Sequence, residues 1–377
     1  MANDATIRLR RARCLVVTFT GGGALAVQFV TQQTAALDEI GLALLAGLEE
    51  WTEPASLLDR LAGRLPRDLC AAALIRLIDG GAVVVEGTDL ARDDARVHRV
   101  WEWGPFAGAF HFGIKNARYA GPAEVLAGLA ARVATTPRVE LHTSNEGLAE
   151  VIALQPPDLD EGLLAVMRRR RSYRGFARDA PLPLAALRDC LFAGLGIVGF
   201  IETPTPGEGP LPLRMTPSGG ARNPFEAYVA ARNVEGLAPG VYHYAAAEGT
   251  LGLVHAGPLP ALSAMVGEQA WAAHAGALVL LAAKLQRSMW KYTHPGGLRV
   301  ALIEAGHVAQ NMLLAATSHG LAAAPTCAVS DAVVEPLCGL DPATEAVVHT
   351  VALGVRSDTP SEADIGEIAP NPFNRRA

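Results

Sequence analysis

Nine consecutive residues without a polar side chain, Ala275 to Ala283, constrain this chain more than any other stretch. The run is far too short to cross a bilayer, which takes about 20 apolar residues. It suits a strand covered on both faces. Shorter strand-like runs precede it at Glu226–Asn233, Gly240–Tyr244 and Thr250–Val254, and another follows at Ala346–Leu353. Leu298, Leu302, Ala305, Ala309, Leu313 and Ala316 repeat at helical spacing, which predicts a long helix from Leu298 to about His319. Glu304, His307 and Asn311 share another flank of that helix, as a buried polar network or an active-site wall. Strands interleaved with helices make the expected fold class α+β.

Composition narrows the setting. Half of the 377 residues are apolar and 19% are charged, so a core is affordable and wholesale disorder is excluded. A net charge of −6 argues against a general nucleic-acid binder. The first residues lack the plan of a signal peptide, and no run spans a membrane. Five scattered cysteines predict a reduced, cytoplasmic chain without structural disulfides. Ten histidines show no ligand-like spacing, so no metal site is expected.

In the N-terminal quarter, Cys14–Phe19 and Ala24–Val30 read as strands around a Gly21–Gly23 turn. Helices are predicted over Gln33–Leu48, Pro54–Leu61 and Arg67–Asp79, with a strand at Ala82–Val85 after the Gly80-Gly81 stop. Three helices and a closing strand suggest a winged-helix-like module over residues 1–90. Its third helix carries only Arg67 and Arg76, which favours scaffolding or peptide binding over DNA. Residues 91–160 read as a connecting region, with charged Ala91–Arg99 as a linker and an aromatic cluster around Trp101, Trp103, Phe106, Phe110 and Phe112. Leu154–Pro157 marks the expected boundary.

Beyond it stands Met167-Arg-Arg-Arg-Arg-Ser-Tyr-Arg-Gly-Phe176. Guanidinium forks and a hydroxyl match phosphate oxygens, although the same run suits a solvated basic face. Gly194-Leu-Gly-Ile-Val-Gly199 spells a dinucleotide fingerprint but follows a predicted helix, Leu184–Ala193, instead of a strand. Its glycines are read as ending that helix. Pro217-Ser218-Gly219-Gly220 exposes backbone with no bulky side chain, fit for a flat ring or for an ordinary turn. Lys291-Tyr292 precedes the long helix. Residues 324–331 read as a loop, and Val333–Gly339 as a short helix. Gly354-Val355-Arg356 ends the last strand, where Arg356 could bring a second cation to a phosphate. The tail over 358–377 reads as extended.

The run from Arg170 to Phe176, the Pro-Ser-Gly-Gly loop, Lys291-Tyr292, Glu304-Ala-Gly306-His307 and Leu353–Arg356 together resemble the nitroreductase superfamily. They are most similar to its SagB/ThcOx-type FMN-dependent azoline dehydrogenases, over about residues 165–357 of an FMN domain expected at 161–357. The resemblance implies a central, mostly antiparallel sheet flanked by helices, with FMN bound across a homodimer interface. It assigns Arg170, Arg171, Ser172 and Arg174 to the FMN phosphate and the flavin's polar edge, with Gly354 and Arg356 completing the phosphate site. Pro217, Ser218, Gly219 and Gly220 would line the isoalloxazine, and Cys327 and Ala328 would pass near N5. Lys291 and Tyr292 would be catalytic, the lysine accepting a ring proton and the tyrosine relaying it or orienting the ring. The family usually carries glycine where Cys327 stands, and Thr293–Gly297 departs from its usual continuation.

The implied activity is oxidation of thiazolines or oxazolines in a peptide precursor, with O2 reoxidising the flavin and a cyclodehydratase as a possible partner. Two alternatives stay open: a flavin oxidoreductase on another peptide, carrier-bound, nitro or quinone substrate, and a non-catalytic peptide-recruiting scaffold.

Overall fold

The computed structural model describes residues 7–21, 23–116, 121–135, 162–202, 210–359, 361 and 364. The expected boundary at Leu154–Pro157 and most of the tail from Pro360 lie outside them.

The N-terminal part is built of small sheets and helices. Strand β1 (Leu9–Arg11) precedes the antiparallel meander β2 (Leu15–Thr20), β3 (Gly23–Gln28) and β4 (Gln33–Leu37). Helices α1 (Glu39–Gly47), α2 (Pro54–Leu61) and α3 (Arg67–Asp79) follow, then β5 (Val83–Val85), which pairs with β1. The helix expected from Gln33 thus begins at Glu39. Residues 33–37 pair with β3, from Gln28↔Gln33 to Ala24↔Leu37. Asp38 then caps α1, its carboxylate accepting from the Gly41 N–H at 2.7 Å.

The charged stretch read as a linker is helix α4 (Asp89–Val100). Its side chains sort by face: Ala91, Asp94 and Val97 are buried, while Arg92, Asp93 and Arg99 are exposed. Asp94, fully buried, accepts from the backbone N–H of Cys14 at 2.8 Å and of Arg13 at 3.0 Å, and lies 3.4 Å from the Arg10 guanidinium. Helix α5 (Gly104–Gly113) carries part of the aromatic cluster: Phe112, with Trp101 and Trp103 just before the helix, is core, while Phe106 and Phe110 are exposed. Trp101 stacks on His111 at 5.1 Å and meets Trp103 edge-on at 5.8 Å. Burial pushes the His111 pKa down to about 3, so its ring is neutral. At the end of α5, Lys115 pairs with Glu335, and the Asn116 N–H donates to Asp331 at 2.8 Å.

Helices α6 (Pro122–Thr135), α7 (Gly162–Arg169) and α8 (Leu184–Leu195) lead to the hairpin β6 (Ile197–Ile201) and β7 (Leu211–Arg214). The main sheet uses β8 (Phe225–Ala231), β9 (Gly240–Ala245) and β10 (Thr250–Ala256). Short α9 (Leu262–Met265) follows, then β11 (Ala277–Lys284), α10 (Gln286–Met289) and α11 (Gly296–Ser318). The described elements end with β12 (Ala322–Thr326), α12 (Asp331–Cys338) and β13 (Glu345–Gly354).

Among the described residues every pairing in the main sheet is antiparallel, in the order β10-β9-β8-β11-β13-β12. The apolar run forms β11 near the centre and feeds two cores. Ala277, Val279, Leu281 and Ala283 pack with α8 and α11; Leu278, Leu280 and Ala282 face α9 and α12. Leu278 to Leu281 are fully buried, worth about 1.5–3 kcal/mol each. Residues 322–326 overturn part of the expected loop at 324–331. They form the outermost strand, where Pro325 is tolerated because an edge position need not complete a ladder on both sides.

Candidate active site

The residues singled out in the sequence gather in two clusters. The first lies at the end of the sheet where β8 and β13 finish. The Tyr173 N–H donates to the Ala323 carbonyl at 2.9 Å, which lays residues 170–176 beside β12. Phe176 bridges to Arg356, and the Arg356 guanidinium stands 4.1 Å above the centre of the Tyr173 ring. Arg174 sits 5.5 Å over Trp271. Arg171 donates from Nη1 to the Arg168 and Arg170 carbonyls, each at 2.7 Å, and so closes the C-terminus of α7. Ser172 and Arg170 are half-buried. Arg356 is therefore brought from a distant part of the chain to the arginine-rich segment, on the face of Tyr173. Gly354 belongs here by packing: a Cβ would come within 2.8 Å of the Phe176 ring and 3.0 Å of the Gly276 nitrogen.

The second cluster lies at the opposite end. Residues 217–220 precede β8, and Phe225 at its start pairs with Ala283, which pairs in turn with Ala346 near the start of β13. At the other end Ala231 pairs with Ala277, which pairs with Leu353. Six residues of strand separate the two ends, about 20 Å.

Glu304 of α11 organises this second cluster. Its carboxylate accepts from the Gly219 N–H at 2.5 Å and from the Ser218 hydroxyl at 3.0 Å. The Ser218 hydroxyl in turn accepts from the Asn223 N–H at 2.9 Å. Burial raises the Glu304 pKa, against the lowering effect of those two donors. Of the polar flank read in the sequence, Asn311 donates to the Ala193 carbonyl at 3.2 Å, and His307 is exposed. Ser218 and Glu304 thus belong together, a pairing that a separation of 86 positions hides from sequence reasoning.

Lys291 and Tyr292 follow α10 and close over the same loop. A Cβ on Gly220 would lie 2.6 Å from Tyr292 Oη and 2.7 Å from Lys291 Nζ. Trp103 Nε1 donates to the Tyr292 carbonyl at 2.8 Å, so the N-terminal half pins the turn that carries the pair. Nothing in the spacing of Trp103 announces this. Gly220 has φ +57°, a region that costs an L-residue about 1–2 kcal/mol. Gly220→Ala is therefore expected to lower stability by at least that amount in urea unfolding and to displace both side chains. Unchanged stability would remove the close approach.

Cys327 and Ala328 follow β12. Cys327 is exposed, with Sγ 3.5 Å from His349 Nδ1, and burial around the sulfur raises its pKa. Both Cys327 and His349 line a cavity of about 400 Å³ between α5, α11 and β13. Ala323 to Cys327 spans about 13 Å of strand, the scale of an extended mononucleotide flavin. Cations at one end of that span and a cavity at the other fit a ligand with an anionic tail and a flat head. Among the described residues no group of three His, Cys, Asp or Glu side chains could hold a metal, and no helix is long and apolar enough to cross a membrane.

The chain is 34% identical over 181 residues to MJ1384 of Methanocaldococcus jannaschii, named as a nitroreductase, covering 46% of this chain and 83% of the relative. It is 32% identical over 140 residues to the trifolitoxin-processing protein TfxB of Rhizobium leguminosarum bv. trifolii, covering 36% of this chain and only 38% of that protein's length. A protein of Desulfovibrio desulfuricans named as a nitroreductase, solved in complex with FMN, is 20% identical with a TM-score of 0.37, covering 56% of this chain and 92% of that one. Members of the nitroreductase family bind FMN. The family model matches residues 167–355, half of this chain, and on that match the chain belongs to the nitroreductase family.

Proposed function

We propose that this protein is an FMN-dependent dehydrogenase that oxidises azoline rings in a peptide precursor, and that it works as a homodimer. The observation that carries the reading is the meeting of Lys291 and Tyr292 over the Gly220 turn. Nitro and quinone reduction takes up protons that solvent can deliver, whereas oxidation of a ring requires a base placed to remove its proton. TfxB, a relative named for processing a peptide toxin, supports a peptide substrate.

Arg170, Arg171, Ser172, Arg174 and Arg356 would hold the FMN phosphate, and Cys327 and Ala328 would lie along the ring. The separation of about 20 Å between this set and Pro217–Gly220 supports a dimer in which one copy supplies the cations and the other the loop. Exposed Val300, Leu302 and Ile303 on α11 offer apolar surface for that contact. Bound FMN would supply a two-electron acceptor, taking the hydride lost from the ring, with O2 reoxidising it. Lys291 would take the ring proton, and Tyr292, fixed through its carbonyl by Trp103, would orient the substrate. Glu304 would hold Ser218 and Gly219 in place.

The test is incubation of the yellow protein with an azoline peptide. Loss of two hydrogens by mass, with bleaching in the absence of oxygen, is expected. Bleaching by NADPH with no effect of the peptide would replace this reading with reduction of nitro or quinone compounds, in keeping with the name of MJ1384. Arg356→Ala is expected to weaken FMN binding about tenfold or more, since a charged hydrogen bond contributes roughly 1.5–3 kcal/mol. Equal affinity in an FMN titration would take Arg356 out of the phosphate site.

A further inference from the structure

An open groove of about 720 Å³ runs between α5 and the start of α11. Phe106 and Phe110 line it from α5, Leu298, Leu302 and Ile303 from α11, and the turn His294–Gly296 closes one end. Phe106 is 80% exposed, and Phe110 and Ile303 are 53% exposed each. Large apolar side chains left in water around a concave space mark a place where something apolar docks.

The α5 wall is fixed before any ligand arrives. At its start Trp103 is fully buried, and a Cβ on Gly297 would lie only 2.8 Å from its ring, so glycine there admits the indole. At its end Lys115 pairs with Glu335, the Asn116 N–H donates to Asp331, and Asn116 Oδ1 accepts from the Ala332 N–H at 2.9 Å. The turn is held as well, the Gly296 N–H donating to His294 Nδ1 at 3.0 Å. A preformed wall costs little to order on binding.

Two observations indicate the occupant. The first is continuity. Phe110, Leu298 and Leu302 also line the cavity of Cys327 and His349, so the groove opens into the space that fits a flat ring. Its closed end, at His294, stands two residues beyond Tyr292. A molecule lying in the groove is therefore next to the reacting ring at one end and to the Lys291-Tyr292 turn at the other. The second is charge. Among the described residues Arg299 is the one permanently charged side chain lining the groove, and it is a cation. Such a surface accepts neutral or acidic chain and disfavours basic chain.

We propose that this groove seats the residues flanking the azoline in the substrate peptide, and so selects precursors with bulky aliphatic or aromatic neighbours and no basic ones. That the occupant is the substrate rests on the oxidase reading above; the binding of an apolar peptide does not. Leu302 and Ile303 are also part of the surface offered to a second copy, and closure of the groove by that copy is the competing outcome.

Calorimetric titration of the FMN-loaded full chain tests it. The probe is a short peptide carrying a thiazole, already oxidised and unable to react, flanked by leucine and phenylalanine; a second carries serines in their place. Saturable binding of the first is expected, weaker by about tenfold or more for the serine peptide, as befits loss of a buried apolar side chain. Phe106→Glu and Phe110→Ala should weaken the first peptide to a similar degree and the serine peptide much less, because the contact is already gone. Phe106 is so exposed that its replacement leaves the core intact. Equal affinity for the two peptides, or binding unchanged in both variants, overturns the groove. Sedimentation is run on the same samples: variants that become monomeric where the parent is dimeric assign the groove to a second copy and also overturn it. A parent that binds the thiazole peptide through Phe106 and Phe110, yet leaves the matching thiazoline peptide unoxidised, would keep the groove and remove the oxidase.

Discussion

Lys291→Ala is expected to slow azoline oxidation by about 10²–10⁴-fold, the range for loss of a positioned general base, while FMN content stays as in the parent. The two effects separate because the lysine is remote from the cluster of cations. Its Nζ lies over Gly220, at the start of β8, and the arginines around Tyr173 lie at the far end of the sheet. Tyr292→Phe keeps the ring and the Trp103 bond to the carbonyl and removes only the hydroxyl. Its rate should fall less than that of Lys291→Ala if the tyrosine orients and the lysine takes the proton. Single-turnover rates of anaerobic flavin bleaching measure both. Parent-like rates in the two variants would leave a flavoprotein whose proton acceptor lies elsewhere.

Asp94→Ala is expected to destabilise the protein by about 3–5 kcal/mol, the cost of leaving one member of a buried ion pair alone. The aspartate is fully buried and holds four donors, the Arg13 and Cys14 N–H groups, the Arg10 guanidinium and, at 3.5 Å, the Gln28 amide. Arg10 is itself buried, stacked 4.5 Å over Trp51, with its Nε unpartnered among the described residues. Removal of Asp94 strands that charge. Replacing both partners, as Arg10→Met with Asp94→Leu, should recover much of the Arg10 share of the loss, because no uncompensated ion remains. The two N–H groups would still lack their acceptor. Urea unfolding of the two variants and the parent decides it; an additive, larger loss in the double variant would show that packing, not charge, dominates there.

Local chemistry settled much of this molecule before any tertiary contact was known. Continuous apolarity made Ala275–Ala283 a strand buried on both faces, and a 3.6-residue period made α11 a helix, because both patterns report burial directly. The glycine run was legible as a helix end because no strand preceded it: Gly196 caps α8, although Gly194 still lies within the helix and Gly199 falls in β6. Boundaries that depend on a neighbour were not legible. Residues 33–37 are a strand only because β3 offers its edge, and α4 looked like a linker because its buried aspartate reads as solvent-loving until Arg10 and two N–H groups surround it.

The family resemblance named the site residues and implied a flavin held across a dimer interface, without saying which of those residues one copy brings together. Residue type and order established which chemistry is present: guanidiniums beside a serine, a glycine loop, a lysine with a tyrosine. Only the antiparallel register of β8, β11 and β13 decided that the cations and the glycine loop stand about 20 Å apart in a single copy. Strand direction reverses with each pairing, and a linear sequence carries no record of which end of a sheet a loop will reach.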